Sequence, residues 1–426
     1  MTTRLPAPPV KARYPLAVSP DRRRLIDADG RPFLVQGDAA WSLIANLTHD
    51  EAIEYLDDRR TKGFNTLIVS LIEWLFSADP PRNLAGDEPF TTPGDPTTPN
   101  DAYFDHAARV LEACAERGIA VILCPTYLGY PRPAYPGYDG RPEGWYDEIV
   151  RAGVEGGRAW GEFLGRRFGR FDNLVWCIGG DRNPGPALPM LSAVAEGIRS
   201  AGVGTPFTAH VLPECSAVDE YAGEGWLDVN VTYTYGIVHR NLLADWRREP
   251  VWPFFLIEST YEGEHDASEL QIRRQAYWSV LSGGNGHCMG NHPIWLFGPG
   301  WRDALEGPGS LAMARWGAFF RDLDWASLEP DIEDRLVVAG RGEERGLDRA
   351  TTAISTDRRL AVTYAPSRRP LTLDPAALEA GALAVTWFEP SSGLTVDGGM
   401  LRGAGRSVLT APFAEDAVLV LRADGS

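Results

Sequence analysis

The sequence predicts an α/β fold, a (β/α)8 TIM barrel, followed by a small C-terminal antiparallel β-sandwich domain. Eight short apolar runs alternate with helical patterns over most of the chain, which is typical of parallel barrel strands that are buried on both faces. From about residue 333, short alternating runs separated by Gly-, Asp- and Ser-rich turns replace this pattern, as expected for antiparallel strands. We therefore expect three parts: an N-terminal extended arm (1–16), the barrel (17–330) and the sandwich domain (331–426).

The barrel elements are predicted from strand-like runs, capping residues and glycine stops. An Asp-Gly turn at Asp29 predicts a hairpin before the first barrel strand. The capping box from Thr48 to Glu51 predicts the start of a helix, and Gly63 predicts its end. The strands are expected at residues 33–38, 65–72, 119–125, 173–178, 206–210, 229–235, 254–257 and, with its loop, 286–295, and the helices at 48–62, 100–118, 153–168, 186–200, 268–281 and 311–323.

Three connections depart from a simple alternation of strands and helices. The Pro-, Gly- and Thr-rich loop 77–99 and the Pro-, Gly- and Tyr-rich loop 130–145 are long, and long loops within compact domains are usually functional. The segment 213–228, between the fifth and sixth strands, shows no clear helix. In the sandwich domain, strands are expected at residues 335–339, 359–364, 384–388 and 417–421.

Composition limits the classes of partner. The chain has 426 residues and a net charge of −17, which argues against nucleic acids and anionic membranes as partners. Five scattered Cys without a CxxC pair indicate reduced, mainly buried thiols. Because no apolar leader segment and no run of about 18 apolar residues is present, we expect a cytoplasmic location. The sequence does not predict the oligomeric state.

Two carboxylates follow buried strands directly, and they carry the prediction of function. Asp181 comes after the fourth strand and a Gly-Gly pair, and Glu258 comes after the seventh strand. Active sites of barrels lie at the carboxyl ends of the strands, and a pair of carboxylates there is the minimum equipment for glycoside hydrolysis. Either residue taken alone could instead cap a helix or form an ion pair. As a pair, we expect Asp181 to be the general acid/base and Glu258 the nucleophile.

Other polar and aromatic residues near strand ends are candidates for substrate contacts. Asp38 could bind a pair of sugar hydroxyls, and Tyr235 could hydrogen-bond the nucleophile and orient it, whereas Tyr233 is expected in the core. The acidic loop 262–266 is expected to be solvated, and a structural role is as good an expectation as a contact for each candidate taken singly. The candidates are Asp38, Trp41, Glu73, Tyr127, His210, Tyr235, Asn291, His292 and Trp295.

Known motifs of other enzyme classes are missing from the sequence. The seven histidines form no HxH or HExxH pattern, which weakens a metallohydrolase interpretation. The sequence also contains no GxSxG motif, P-loop or dinucleotide fingerprint. We therefore expect neither a metal nor a cofactor.

Four stretches resemble the apiosidase-like glycoside hydrolases, a family whose barrel is followed by a β domain labelled as collagen-binding. They are PFLVQGDAAW at 32–41, GFNT at 63–66, WCIGGD at 176–181 and IES at 257–259. The resemblance spans the barrel and implies an Asp/Glu pair and activity on a branched furanose such as apiose. Nothing in the sequence supports the collagen-binding label.

One feature departs from the large clan of retaining barrel glycosidases. That clan usually carries Asn-Glu at the end of strand four, where this chain has Gly180-Asp181. Because aspartate is one methylene shorter, the two carboxyls could lie farther apart. A separation of about 5–5.5 Å would indicate retention of configuration, and one of roughly 6.5–9.5 Å would indicate inversion.

The function predicted from these observations is removal of a terminal, furanosidic sugar from a glycoside or oligosaccharide, with retention of configuration. Two alternatives stay open: an arabinofuranosidase or other glycosidase that uses the same site, and a catalytically silent carbohydrate-binding barrel. The shape of the loop 77–99 would distinguish a closed pocket from an open cleft, and with it exo from endo action.

Overall fold

The computed structural model describes residues 9–131, 143–403 and 405–424. Residues 1–8 of the predicted arm and 132–142 of the predicted loop 130–145 lie outside the described residues. A short antiparallel hairpin of β1 (Ala17–Val18) and β2 (Leu25–Ile26) precedes the barrel. Before it, Tyr14 packs edge-on against Phe33 and donates a hydrogen bond to the carbonyl of Gly118.

The predicted barrel is confirmed as a nearly closed sheet of eight parallel strands with one short antiparallel addition. Each parallel strand is fully buried, which explains the continuous apolar runs in the sequence. In chain order the strands are β3 (Val35–Ala39), β4 (Thr66–Ser70), β5 (Ala120–Cys124), β6 (Leu174–Gly179), β7 (Phe207–His210), the antiparallel β8 (Cys215–Ser216), β9 (Asn230–Tyr233), β10 (Phe254–Glu258) and β11 (Gly286–Met289).

Helices surround this sheet. The capping box at Thr48 is formed as predicted, and Gly118 closes the helix before β5 in the left-handed conformation. The helices are α1 (Leu43–Asn46), α2 (His49–Thr61), α3 (Asp101–Arg117), α4 (Tyr146–Phe168), α5 (Leu188–Ser200), α6 (Ala217–Tyr221), α7 (Val238–Trp246), α8 (Glu269–Leu281), α9 (Trp301–Ala304) and α10 (Pro308–Arg321).

The sheet order is β7-β6-β5-β4-β3-β11-β10-β9-β8, so no strand ladder joins β7 to β9. Two backbone hydrogen bonds from residues 228 and 229 to the carbonyl of Phe207 join the chain at this seam. The seam coincides with the segment 213–228, where the sequence showed no clear helix. Instead of a long crossover helix, the chain forms β8 and the five-residue α6 there.

Some predicted boundaries were wrong. The predicted helix 153–168 forms the longer part of α4. A shorter helical segment that begins at Tyr146 precedes it, and the two join at Gly153, whose backbone angles (φ 68°, ψ −173°) are not helical. Helix α7, which precedes β10, was not predicted. The sixth strand ends at Tyr233, so Tyr235 lies in the loop beyond it.

The C-terminal part consists of two antiparallel sheets that share a hydrophobic core. The six-stranded sheet begins with β12, which ends at Pro330. Its strands follow the order β12-β14-β15-β20-β17-β18, and those of the smaller sheet β13-β16-β19. They are β12 (Leu328–Pro330), β13 (Val337–Ala339), β14 (Thr351–Ser355), β15 (Leu360–Ala365), β16 (Pro370–Leu373), β17 (Ala382–Phe388), β18 (Thr395–Arg402), β19 (Ser407–Thr410) and β20 (Ala417–Ala423).

The C-terminal sheets are attached to the barrel through helix α8. Arg273 of this helix makes a bidentate ion pair with Asp416, with N–O distances of 2.8 and 2.9 Å, and both side chains are at most 1% exposed. Tyr364 donates to the same carboxylate at 3.0 Å and stacks on Tyr277 of α8 at 4.7 Å between ring centroids. Helix α8, which follows the strand that ends at Glu258, is therefore held by contacts with the C-terminal sheets as well as by the barrel. Among the described residues, no helix is long and apolar enough to cross a membrane.

Candidate active site

Asp181 and Glu258 converge at the carboxyl end of the barrel. Glu258 is the last residue of β10, and Asp181 follows β6 by two residues. One oxygen of each carboxyl group and a ring nitrogen of His210, at the end of β7, all lie within 4.8 Å of one another. Three side chains that are far apart in sequence therefore form one cluster, in which all three residues are buried.

The Gly-Gly-Asp turn places the first of these carboxyls. Gly179, Gly180 and Asp181 have φ values of 101°, 131° and 49°, a run of positive values in which the first two favour glycine. A Cβ at Gly180 would lie 2.5 Å from Cδ2 of Tyr127. The strand therefore turns sharply against Tyr127 and directs Asp181 into the barrel mouth.

A backbone hydrogen bond determines which ring nitrogen of neutral His210 carries the proton. The backbone N–H of Asp181 donates to Nδ1 of His210 at 3.2 Å, so Nδ1 must present its lone pair. The neutral ring then carries its proton on Nε2, which lies 3.2 Å from Oε2 of Glu258 and donates to it. Burial lowers the pKa of His210, but the hydrogen bond to Glu258 and the charge of Asp181 outweigh it, and the net pKa is raised.

Asp181 has the environment of an acid that keeps its proton. Burial, followed by the nearby charge of Glu258, raises its pKa from 3.8 to about 6. Tyr127 donates to Oδ2 at 2.6 Å, whereas Oδ1 has no hydrogen-bond partner among the described residues. Oδ1 is therefore free of any acceptor role toward a described donor, and it has almost no exposed surface.

Glu258 has a different environment, because both of its oxygens accept hydrogen bonds. Tyr235 donates to Oε1 at 2.8 Å, and His210 donates to Oε2. The hydroxyl of Tyr233 donates to that of Tyr235 at 3.1 Å and contacts the hydroxyl of Tyr130 at 2.8 Å. Tyr233 is fully buried, as expected, but it also belongs to this hydrogen-bonded chain. The two carboxyls thus differ: one retains a free oxygen and the other is fixed by two donors.

These groups border a cavity of about 510 Å³. Six predicted site residues line it, namely Trp41, Tyr127, Asp181, Tyr235, Glu258 and Trp295. The walls also include Phe76, Tyr130 and Tyr261, which the sequence analysis did not single out. Glu264 and His265 of the acidic loop line the cavity too, where a solvated loop was expected. Glu264 accepts a hydrogen bond from Nε1 of Trp295 at 2.8 Å, a contact that no local sequence pattern indicates.

Five predicted contact residues do not line this cavity. Asp38 is fully buried and bound by Arg59 and Tyr55 at 3.2 and 2.7 Å. Glu73, also buried, accepts a hydrogen bond from the Ser42 hydroxyl at 2.7 Å. The remaining three are Asn291, which donates to Glu262 at 2.8 Å, His292, and His210, which lies beneath the two carboxyls.

The hydrogen-bond and ion-pair partners of these residues explain why they do not line the cavity. The Asp38 carboxylate is enclosed by an ion pair within the fold, so it is not available for sugar hydroxyls. The Asn291 amide is used in the same way to hold Glu262, whose other oxygen accepts the N–H of Gly309 at 2.6 Å. Glu262, unlike Glu264, is therefore a structural carboxylate.

Asp181, His210 and Glu258 are also a combination of side chains that could hold a metal ion. No sequence motif predicted it, because the three lie 29 and 48 residues apart. A metal at His210 would need a free nitrogen lone pair. The Asp181 N–H occupies the lone pair of Nδ1, and Nε2 carries the proton, so the observed geometry fits hydrogen bonding better than coordination.

Two family models match the chain. The one described as "Apiosidase-like, catalytic domain" matches residues 19–327, and the one described as "Putative collagen-binding domain of a collagenase" matches residues 332–422. No curated protein matches the chain.

Solved structures of glycoside hydrolases have a similar fold. A family 5 glycoside hydrolase from Bacteroides vulgatus ATCC 8482 superimposes with a TM-score of 0.84 at 23% identity, covering 98% of this chain and 96% of that one. A second protein, described as a glycoside hydrolase, gives 0.84 at 22% identity and covers 99% of both chains. A family 5 mannosidase from Rhizomucor miehei gives 0.52 at 11% identity, covering 72% of this chain and 97% of that one. At these sequence identities, the comparisons show that this chain and the solved structures share a fold.

Proposed function

The chain belongs to the family of apiosidase-like catalytic domains and is a glycoside hydrolase, and from this premise we propose that it removes a terminal furanosidic sugar with Asp181 and Glu258. The observation that carries the proposal is the unequal carboxyl pair at the mouth of the barrel. One carboxyl keeps its proton up to about pH 6, and the other is oriented by two hydrogen-bond donors. Such a division is the requirement for an acid and a nucleophile that act in one step.

The separation of the two groups supports retention of configuration. One oxygen of Asp181 and one of Glu258 lie within 4.8 Å of each other, which is compatible with the separation of roughly 5–5.5 Å between the carboxyl groups of retaining sites.

The reaction then has two steps. Glu258 attacks the anomeric carbon while Asp181 gives its proton to the departing glycosidic oxygen, which leaves a glycosyl ester on Glu258. Asp181, now a carboxylate, takes a proton from a water molecule, and the resulting hydroxide displaces the sugar from Glu258. His210 and Tyr235 hold the attacking carboxylate in place throughout.

The furanosidic specificity rests on the family assignment, and the aromatic lining of the cavity is compatible with it. Trp41, Tyr127 and Trp295 line the cavity, and aromatic side chains pack well against the C–H side of a sugar ring. A panel of nitrophenyl furanosides and pyranosides, including an apioside, tests this part of the proposal. We expect hydrolysis of a furanoside in preference to every pyranoside.

The roles of the carboxyls are tested by Glu258→Gln, with Glu249→Gln as a matched control. Glu249 is exposed and precedes the same strand at its opposite end. We expect Glu258→Gln to abolish hydrolysis of the best aryl glycoside with little change in melting temperature, and Glu249→Gln to be fully active. Full activity of Glu258→Gln would overturn the assignment, and a product of inverted configuration by NMR would overturn the retaining mechanism.

A further inference from the structure

Tyr235, which donates to Glu258, lies in a loop beyond the end of its strand. Strand β9 ends at Tyr233, and the Tyr235 side chain is 41% exposed. Its ring centroid lies 5.4 Å from that of Tyr233, which is buried, and 6.5 Å from that of His265, which is exposed. A partly exposed side chain in a loop needs a further restraint to keep its hydroxyl 2.8 Å from Glu258.

Glu214 supplies such a restraint, because its carboxylate binds the turn that contains Tyr235. Its Oε1 accepts hydrogen bonds from the backbone N–H groups of Tyr235 and Gly236, both at 2.9 Å. The hydroxyl of Thr234 lies 2.8 Å from each carboxylate oxygen, and the side-chain amide of Asn241 donates to Oε2 at 2.7 Å. Hydrogen bonds to an ionised carboxylate are stronger than those between neutral groups, so the backbone of Tyr235 is fixed at its own nitrogen.

The backbone of Glu214 is also held in place. Its N–H donates to the carbonyl of Tyr233 at 2.8 Å, and the next residue, Cys215, pairs with Tyr233 in the ladder between β8 and β9. Its φ of 64° lies in the left-handed region, which is uncommon for a residue with a long side chain. Such strained conformations persist where the surroundings hold them, and they are frequent at functional sites. The short antiparallel strand β8 at the seam of the barrel therefore presents Glu214 to the turn of Tyr235.

The residues just before Glu214 are linked to the other carboxyl of the site. The backbone N–H of Leu212 donates to Oδ1 of Asn183 at 3.0 Å, and Asn183 follows Asp181 by two residues. Pro213, the next residue, lines the cavity. This segment therefore connects the turn that carries Asp181 with the turn that carries Tyr235.

We propose that Glu214 is a positioning residue of the active site, which holds the hydroxyl of Tyr235 against Glu258 by fixing the backbone of Tyr235. Glu214 is not among the described residues that line the cavity, so it acts through Tyr235 and not on the substrate. A role limited to the stability of the loop would make the effect of Glu214 independent of the Tyr235 hydroxyl. The assignment rests on the proposed function, because it takes Glu258 as the nucleophile that Tyr235 orients.

The kinetic test is a double-mutant cycle of Glu214→Ala and Tyr235→Phe, measured with the best aryl glycoside. In the wild-type background we expect Glu214→Ala to lower kcat about 10-fold with little change in KM, which is roughly the effect of one hydrogen bond. In the Tyr235→Phe background there is no hydroxyl to position, so we expect Glu214→Ala to change kcat by less than about 2-fold. Equal losses in the two backgrounds, or no loss in either, would overturn the proposal.

Glu214→Gln is the conservative variant of the same position. Its carbonyl oxygen can still accept from the two backbone N–H groups, and Asn241 can turn its amide so that its oxygen faces the new N–H2 group. We expect Glu214→Gln to retain most of the wild-type kcat, and a variant as impaired as Glu214→Ala would count against positioning through these hydrogen bonds. Glu249→Ala is the matched control, because Glu249 is an exposed glutamate that precedes β10 at its opposite end, and we expect it to be fully active.

A separate arm does not require turnover: crystal structures of the wild type and of Glu214→Ala. We expect the Tyr235 hydroxyl of the variant to move out of hydrogen-bond distance of Glu258 or to occupy several positions, while β9 and β10 stay in place. An ordered contact at the original 2.8 Å would overturn the positioning role. This arm distinguishes the two proposals, because a wild type that hydrolyses no glycoside would defeat the proposed function, whereas the displaced hydroxyl would still show that Glu214 positions Tyr235.

Discussion

Replacing Asp181 with Asn tests the raised pKa of this residue through protein stability, without reference to any substrate. Burial and the charge of Glu258 raise the pKa from 3.8 to about 6, and one pKa unit corresponds to about 1.4 kcal/mol. The difference of about two units therefore corresponds to roughly 3 kcal/mol of lost stability at neutral pH. Asparagine removes this penalty and can still accept the hydrogen bond from Tyr127.

Proton linkage determines how the stability difference between the wild type and Asp181→Asn changes with pH. Below pH 3.8 the carboxyl is protonated in both the folded and the unfolded chain, and the wild type has no penalty. Between pH 3.8 and about 6 the unfolded chain loses its proton first, so the wild type loses stability as pH rises, and the loss is complete above pH 6. The advantage of Asp181→Asn should therefore be smallest at acidic pH and constant above neutrality.

The assay is chemical denaturation of both proteins at several pH values between about 4.5 and 8. We expect Asp181→Asn to be more stable than the wild type by up to roughly 3 kcal/mol at pH 8, less any cost of burying the amide N–H2, and by much less at pH 4.5. Asp172→Asn is the control, because Asp172 is exposed at the opposite end of the same strand. A variant that is destabilised at every pH, or an advantage that does not change with pH, would refute the reasoning.

Three further predictions concern activity and the domain junction. The kcat/KM of the wild type should fall above about pH 6 as Asp181 loses its proton, and a pH–rate profile with no fall between pH 6 and 8 would contradict its role as the acid. Tyr235→Phe removes one of the two donors to Glu258, so kcat should fall about 10- to 100-fold with little change in KM, as measured by steady-state kinetics. Arg273→Met leaves the Asp416 carboxylate buried without its cation, so the protein should lose roughly 3–5 kcal/mol in denaturant unfolding, whereas a loss below about 1 kcal/mol would show that the junction contributes little.

The sequence was informative where one physical signal dominates. Continuous apolar runs predicted β4, β5, β6 and β10 most directly, because strands buried on both faces have no polar alternation. Once the strands are placed, the residues at their carboxyl ends are known as well. The order of the strands around a barrel is then enough to predict that Asp181 and Glu258 lie close together.

The direction of individual side chains was harder to predict. Asp38 was expected to contact the substrate from the end of its strand, but its side chain is fully buried and forms an ion pair with Arg59 of helix α2. Trp41, three residues later, lines the cavity. The sequence also could not predict that His210 connects Asp181 to Glu258 through hydrogen bonds, because the tautomer of its ring depends on the backbone N–H of Asp181.

The two positive φ values before Asp181 and its own φ of 49° also restrict which carboxylic acid fits at position 181. Among residues with a side chain, Asn and Asp tolerate the left-handed region best, because their short polar groups can bond locally. A glutamate at 181 would have to take up an unfavourable backbone conformation or straighten the turn, and either change would displace the carboxyl that we propose as the proton donor. The aspartate side chain and the shape of the turn therefore depend on each other, so an engineer who changes one must redesign the other.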